Sequence, residues 1–130
     1  MPKFSERSLK KLATCDSRLI RLFNEVVKHM DCTILCGTRG KEEQDDAFRK
    51  GFSKVQFPNS RHNSSPSAAV DVAPYPIDWN DRDRFYYFAG IVKGIASQMG
   101  YVIRWGGDWD SDNDFKDQNF MDWPHFEIKN

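Results

Sequence analysis

One stretch constrains this chain more than any other: Ala68-Ala69-Val70-Asp71-Val72-Ala73, a short apolar run with a carboxylate near its centre, closed by Pro74-Tyr75-Pro76. Its length and composition are those of a core strand. A carboxylate buried without a partner is costly enough that it would sooner neutralise. Any fold that uses this strand must pair Asp71, bind it to a metal, or turn it to water, which strand alternation permits.

Hydrophobic periodicity places helices and a small sheet around this strand. Residues 5–14 read as a short helix ending near Cys15. Asp16 or Ser17 then caps a second helix, with Leu19, Ile20, Phe23, Val26, Val27 and Met30 as its apolar stripe. His29 lies beside that stripe at the helix end, a place for dipole or packing interactions. Cys32–Cys36 reads as a strand, Gly37-Thr38-Arg39-Gly40 as a turn and residues 42–51 as a helix. A Ser-, Asn- and Pro-rich loop, 52–66, leads into the Asp71 strand. Residues 81–99 form a long helix with Phe85, Phe88, Ile91, Val92, Ile95 and Met99 on one face, stopped by Gly100. Strands at 101–105 and His125–Ile128 flank an acidic, aromatic loop. The expectation is a single α+β domain over residues 1–130, a small, mainly antiparallel sheet with helices packed on it.

The chain is neutral, with 19 basic and 19 acidic residues. Residues 1–61 hold 13 Lys and Arg against 8 Asp and Glu, a surplus too small and too scattered for a nucleic-acid module. No run approaches the ~18 apolar residues that span a bilayer. The charged start, MPKFSERSLKKLA, is unlike a secretory leader. A soluble monomer is expected, with no nucleic-acid partner and no membrane insertion. Cys15, Cys32 and Cys36 cannot all pair with one another; even spacing puts Cys32 and Cys36 on one strand face, as buried free thiols of a reducing compartment.

Two of the three histidines stand at loop–strand junctions on either side of Asp71: His62 in Ser60-Arg61-His62-Asn63 and His125 in Asp122-Trp123-Pro124-His125. Each alone is an ordinary loop residue. Two imidazoles and a carboxylate are also a common catalytic zinc set with an open fourth position. Asp122 could then be the unligated base. Asp108, Asp110, Asp112, Asp114 and Asp117 crowd the preceding loop. Asp110, Asp112 and Asp114 repeat the start of a calcium-loop spacing, yet Phe115 and Met121 stand where that loop needs Gly and Glu. A solvated acidic loop and a Ca2+ site both stay open. Among the interleaved aromatics Trp105, Trp109, Phe115, Phe120 and Trp123, Trp105 is expected in the core, and Trp109 and Trp123 at a cleft.

Ser-x-His, then Ala-Val-Asp, and late in the chain Asp-x-x-His, together resemble the M15 family of zinc peptidases. That family holds D-Ala-D-Ala carboxypeptidases and dipeptidases and the phage L-alanyl-D-glutamate endopeptidases. Gly37-Thr38-Arg39, Ser60-Arg61-His62, Asp71-Val72-Ala73-Pro74-Tyr75, Asp78-Trp79 and Gly106-Gly107-Asp108-Trp109 are most similar to the phage endolysin branch. The nine positions from His62 to Asp71 are more than many members have and read as a longer loop. The resemblance implies that His62, Asp71 and His125 bind Zn2+, that Asp122 is the catalytic acid/base and that Arg39 lies in the substrate site. Ser60 would orient His62 or touch substrate, beside Trp109 and Trp123. The implied substrate is the stem peptide of bacterial peptidoglycan, cut at L-Ala–D-Glu by a lysis enzyme that stays in the host bacterial cytoplasm until the membrane is opened. The alternatives are a D-Ala-D-Ala carboxypeptidase or dipeptidase on the same metal site, and a non-catalytic zinc-stabilised wall-binding domain.

Overall fold

The computed structural model describes residues 2–113 and 121–129. Strands β1 (Cys32–Cys36), β2 (Ala69–Pro74), β3 (Ile103–Trp105) and β4 (His125–Ile128) form one antiparallel sheet in the order β1-β2-β4-β3. Helices α1 (Glu6–Leu12), α2 (Ser17–His29), α3 (Lys41–Arg49) and α4 (Arg82–Met99) accompany it, and a 3-10 turn (Arg61–Asn63) interrupts the long loop before β2. The chain's last strand inserts between β2 and β3. The Asp71 strand is therefore internal and hydrogen-bonded on both sides.

Alternation divides the sheet into two faces. Ile34, Val70, Val72, Ile103, Trp105, Phe126 and Ile128 enter the core with Leu19, Leu22, Phe23 and Val26 of α2 and Phe88, Ala89, Val92 and Ala96 of α4. The Phe126 ring meets Phe23 at 5.6 Å and Phe88 at 6.0 Å, both edge-on. Asp71, His125 and Glu127, at the alternate positions, are left for the opposite face. The expected side-chain stripe of α4 holds at Phe85, Phe88 and Val92 and fails at its edges. Ile91 is only half-buried and Met99 is exposed, while Ala89 and Ala96 take the buried places. Small side chains let the helix lie close to its neighbours, which a pattern of large apolar residues does not reveal.

A second correction concerns Cys36. β1 carries a register irregularity between Ile34, opposite Val72, and Cys36, opposite Asp71. This bulge moves Cys36 off the core face that Cys32 keeps, so the even-spacing expectation fails. Cys15 and Cys32 are buried thiols, as expected, and burial pushes them up to about 11 and about 12. His29, at the end of α2, pairs with Glu25 one turn back at 2.9 Å.

Gly106, just past β3, joins the sheet to the segment before β4. Its N–H donates to the His125 carbonyl and its carbonyl accepts the Asp122 N–H, each at 2.8 Å. A Cβ here would collide with the Asp122 carbonyl. Gly106→Ala should lower stability by about 1–3 kcal/mol through overpacking. Chemical denaturation checks this, and an unchanged midpoint would contradict the close approach.

Candidate active site and metal centre

The register of β2 sets Asp71 opposite His125 on one side and Cys36 on the other. Asp71 Oδ1 lies 3.2 Å from His62 Nε2 and 3.4 Å from His125 Nδ1. His62 comes from the 3-10 turn, where Ser60 Oγ accepts its N–H at 3.1 Å and Asn63 Oδ1 accepts the Ser60 N–H at 2.9 Å. Ser60 thus caps the turn that carries His62, and it also lines the cleft over the site.

Each imidazole is fixed from behind. His62 Nδ1 lies 2.8 Å from the Gly37 carbonyl, which can only accept, so its proton sits there and Nε2 is left toward Asp71. His125 Nε2 lies 2.7 Å from Glu127 Oε1, leaving Nδ1 toward Asp71. Such outer hydrogen bonds set the tautomer and ring orientation of a metal-binding histidine. The two rings meet edge-on at 5.1 Å.

Two partners in this frame carry no motif of their own. Glu127 is 2% exposed, and its Oε2 accepts from Arg104 Nη2 at 2.6 Å and Nε at 3.0 Å, with Arg61 Nε at 3.4 Å. Burial alone would raise its pKa, but the hydrogen bonds from His125 and Arg104 outweigh it and hold the carboxyl at about 2. Only its place two residues after His125, on the same strand face, points to it in the sequence. Gln44 of α3 is fully buried and accepts from Arg39 Nη1 at 2.9 Å while donating to Ser53 Oγ and the Val55 carbonyl. Arg39 Nη2 also reaches Asp71 Oδ2 at 3.3 Å, so this guanidinium is held beside the carboxylate from two directions.

Asp122 stands at the rim, its Oδ2 4.0 Å from His125 Nδ1. Burial first, and then the negative charge of Asp71, push its carboxyl up to about 6. A cleft of about 370 Å³ opens over these groups, lined by Arg39, Ser60, Arg61, His62, Arg104, Trp109, Asp122, His125 and Glu127 among others. The Trp109 ring lies 5.1 Å from that of His125. Trp123, expected at the cleft, is not among its lining residues. Its ring packs instead against Phe85 and Tyr86, because the Trp123 carbonyl is tied to Trp105 Nε1 and the side chain falls on the core's edge. Trp105 is buried as expected.

Ligand atoms of Cys36, His62 and Asp71 lie within 4.8 Å of one another, as do those of Asp71, Asp122 and His125. Asp71 belongs to both groups. Burial disfavours the charged form of both histidines, yet the Asp71 carboxylate outweighs it and raises them. Burial likewise works against the Asp71 carboxylate, and the two histidines outweigh it and hold the group well below the usual carboxylate range. The pocket thus attracts positive charge, whether proton or metal. Two oriented imidazole nitrogens and a carboxylate oxygen are a donor set that suits zinc. A third group, Asp108, Asp110 and Asp112, gathers in the loop after β3. The buried Asp108 accepts backbone N–H bonds from Asn113 at 2.9 Å and Asp112 at 3.3 Å. Asp114, Phe115, Asp117 and Phe120 lie outside the described residues, so the calcium spacing is seen only in part.

The sequence matches the family model of the phage L-alanyl-D-glutamate peptidases over residues 1–129. The chain belongs to this family. Among solved structures, the L-Ala D-Glu endopeptidase ChiX of Serratia marcescens is similar, with a TM-score of 0.76 and 25% sequence identity over 98% of this chain and 90% of that one. No curated protein sequence matches. The chain is a peptidoglycan hydrolase of the phage type, an endopeptidase of the L-Ala–D-Glu bond. Among the described residues, no helix is long and apolar enough to cross a membrane.

Glu127 holds His125 and two arginines at once, so its removal strands buried polar groups. Glu127→Ala should destabilise the chelator-treated protein by about 3 kcal/mol, read from denaturant unfolding. A loss below about 0.5 kcal/mol, the scale of an ordinary surface substitution, would show that the carboxylate braces nothing.

Proposed function

We propose that this peptidase is zinc-dependent, with His62 Nε2, Asp71 and His125 Nδ1 as the protein ligands, Asp122 as the acid/base and Arg39 as the electrostatic partner of the reacting carbonyl. One observation carries the reading. Both imidazoles have their outer nitrogen occupied, by Gly37 and Glu127, and turn the inner one to a single carboxylate. Asp122 is near enough to Asp71 and His125 to be a ligand too, but it lines the open cleft and is assigned as the unligated acid/base.

Bound there, zinc would polarise the attacking water and the scissile carbonyl as a Lewis acid. Asp122, with its pKa raised to about 6, is basic enough to take a proton from the attacking water and acidic enough to return it to the amine of D-Glu as the peptide bond breaks. Asp71 cannot serve as that base, because the two histidines hold it ionised. Arg39, anchored by Gln44, keeps a fixed positive charge toward the carbonyl oxygen, where negative charge grows in the transition state. Trp109 walls the cleft, and Ser60 holds the turn that presents His62. The enzyme would act as a monomer on the wall after leaving the host cytoplasm.

Chelator-treated protein should rebind a single zinc per chain, and His62→Ala or His125→Ala should abolish this, as measured by calorimetric titration. Full zinc binding in either variant would remove that residue from the ligand set. Asp122→Asn should keep zinc and lose turnover on peptidoglycan by on the order of 10²–10⁴-fold. If it loses zinc instead, Asp122 is a ligand and the site is closed, as a wall-binding domain would have it. Arg39→Lys should be impaired at unchanged zinc content and melting temperature, since an ammonium cannot fork onto both Gln44 and the reacting group. Wild-type turnover in both Arg39→Lys and Arg39→Ala would exclude the assigned role. Mass spectrometry of the released fragments reads the bond directly.

A further inference from the structure

Glu127 is one carboxylate serving two guanidiniums. Its Oε1 is taken by His125, and Oε2 receives both Arg104 and Arg61. The local balance is therefore one unit of positive charge in excess. Both arginines line the same cleft as Asp122 and His125, with side chains 33% and 45% exposed. Arg104 is further steadied by the Trp109 ring, 5.6 Å from its guanidinium. Arg104 spends Nε and Nη2 on Glu127, while Nη1 has no protein acceptor among the described residues. A half-desolvated guanidinium with spare donors, on a rigid strand and beside the reacting groups, is built to receive an oxyanion.

The substrate supplies one. In an L-Ala–D-Glu bond, the glutamate gives its amino group to the scissile linkage and has two carboxyl groups. Whichever continues the peptide, the other is free, and it sits within a few atoms of the nitrogen that leaves. We propose that Arg104, with Arg61, is the subsite for this free carboxylate of D-Glu, so that the enzyme selects substrates in which it is ionised over those in which it is amidated. Glu127 serves as the hub that holds both arginines at the correct side of His125. The inference rests on the cleft being the catalytic site.

The test uses a matched pair of soluble peptides, L-Ala-γ-D-Glu-L-Lys and the same peptide with the free α-carboxylate converted to the carboxamide. Wild type should prefer the carboxylate by roughly tenfold or more in kcat/KM, the scale of one charge-assisted hydrogen bond. Arg104→Gln should collapse that preference, mainly through KM, and Arg104→Lys should restore part of it. Arg61→Gln, whose contact with Glu127 is the longer one, gives a second variant should Arg104→Gln fold poorly, and it should narrow the preference as well. Calorimetry with the product γ-D-Glu-L-Lys and its amide should follow the same order without turnover. Equal handling of the two peptides by wild type, or equal loss on both in the variants, overturns the subsite. Failure of wild type to cleave either peptide while it digests peptidoglycan at another bond overturns the underlying reading instead.

Discussion

The Asp71 carboxylate is what the rest of this molecule is arranged around. It projects from an internal strand whose neighbours on the other face, Val70 and Val72, are fully buried. A charge in that position is tolerable only when several cationic or proton-donating groups converge on it. The fold delivers them from separate elements: His125 by cross-strand register, His62 by a capped turn, and Arg39 by a loop pinned to α3. Replacing the carboxylate would leave His62, His125 and Arg39 crowded together without the charge on which all three converge. Stability and chemistry thus share one requirement at this point.

Around this centre lies a second layer of fixed groups, and it explains why the site is oriented as well as charged. Gly37 accepts from His62, Glu127 accepts from His125, and Gln44 accepts from Arg39. None of the three is free to rotate, since Gly37 is backbone and Glu127 and Gln44 are buried with further partners of their own. Preorganisation of this kind is what lets a small chain aim donors at a reacting carbonyl without rearranging. Gly37 contributes by its size as well, since a Cβ there would collide with Thr14 and Lys11.

Much of this was legible in the sequence, for identifiable reasons. Strand β1 and helix α2 announced themselves through apolar periodicity and, for α2, the Asp16 cap. Asp71 stands out because a mid-strand carboxylate is costly to bury, and His62, His125 and Asp122 because they flank it at loop–strand junctions in an order that resembles a zinc-peptidase site; the fold does bring them together. The remaining contacts depend on three-dimensional closeness alone. Glu127 and Gln44 are unremarkable polar residues until strand and helix place them behind His125 and Arg39. Cys36 reached the site face through a bulge, which an even count along the strand cannot foresee. Trp123 and the outer residues of α4 were misplaced because an aromatic or aliphatic side chain packs equally well on either side of a boundary until its neighbours are known.

X-ray absorption at the zinc edge of the zinc-loaded protein reads the ligand set itself. With His62, Asp71 and His125 as ligands, the first shell should hold nitrogen and oxygen alone at ~2.0–2.1 Å, with the multiple-scattering signature of two imidazoles. Cys36 lies near enough to His62 and Asp71 to compete. A sulfur scatterer at ~2.3 Å, or a shell with a single imidazole, would contradict that ligand set.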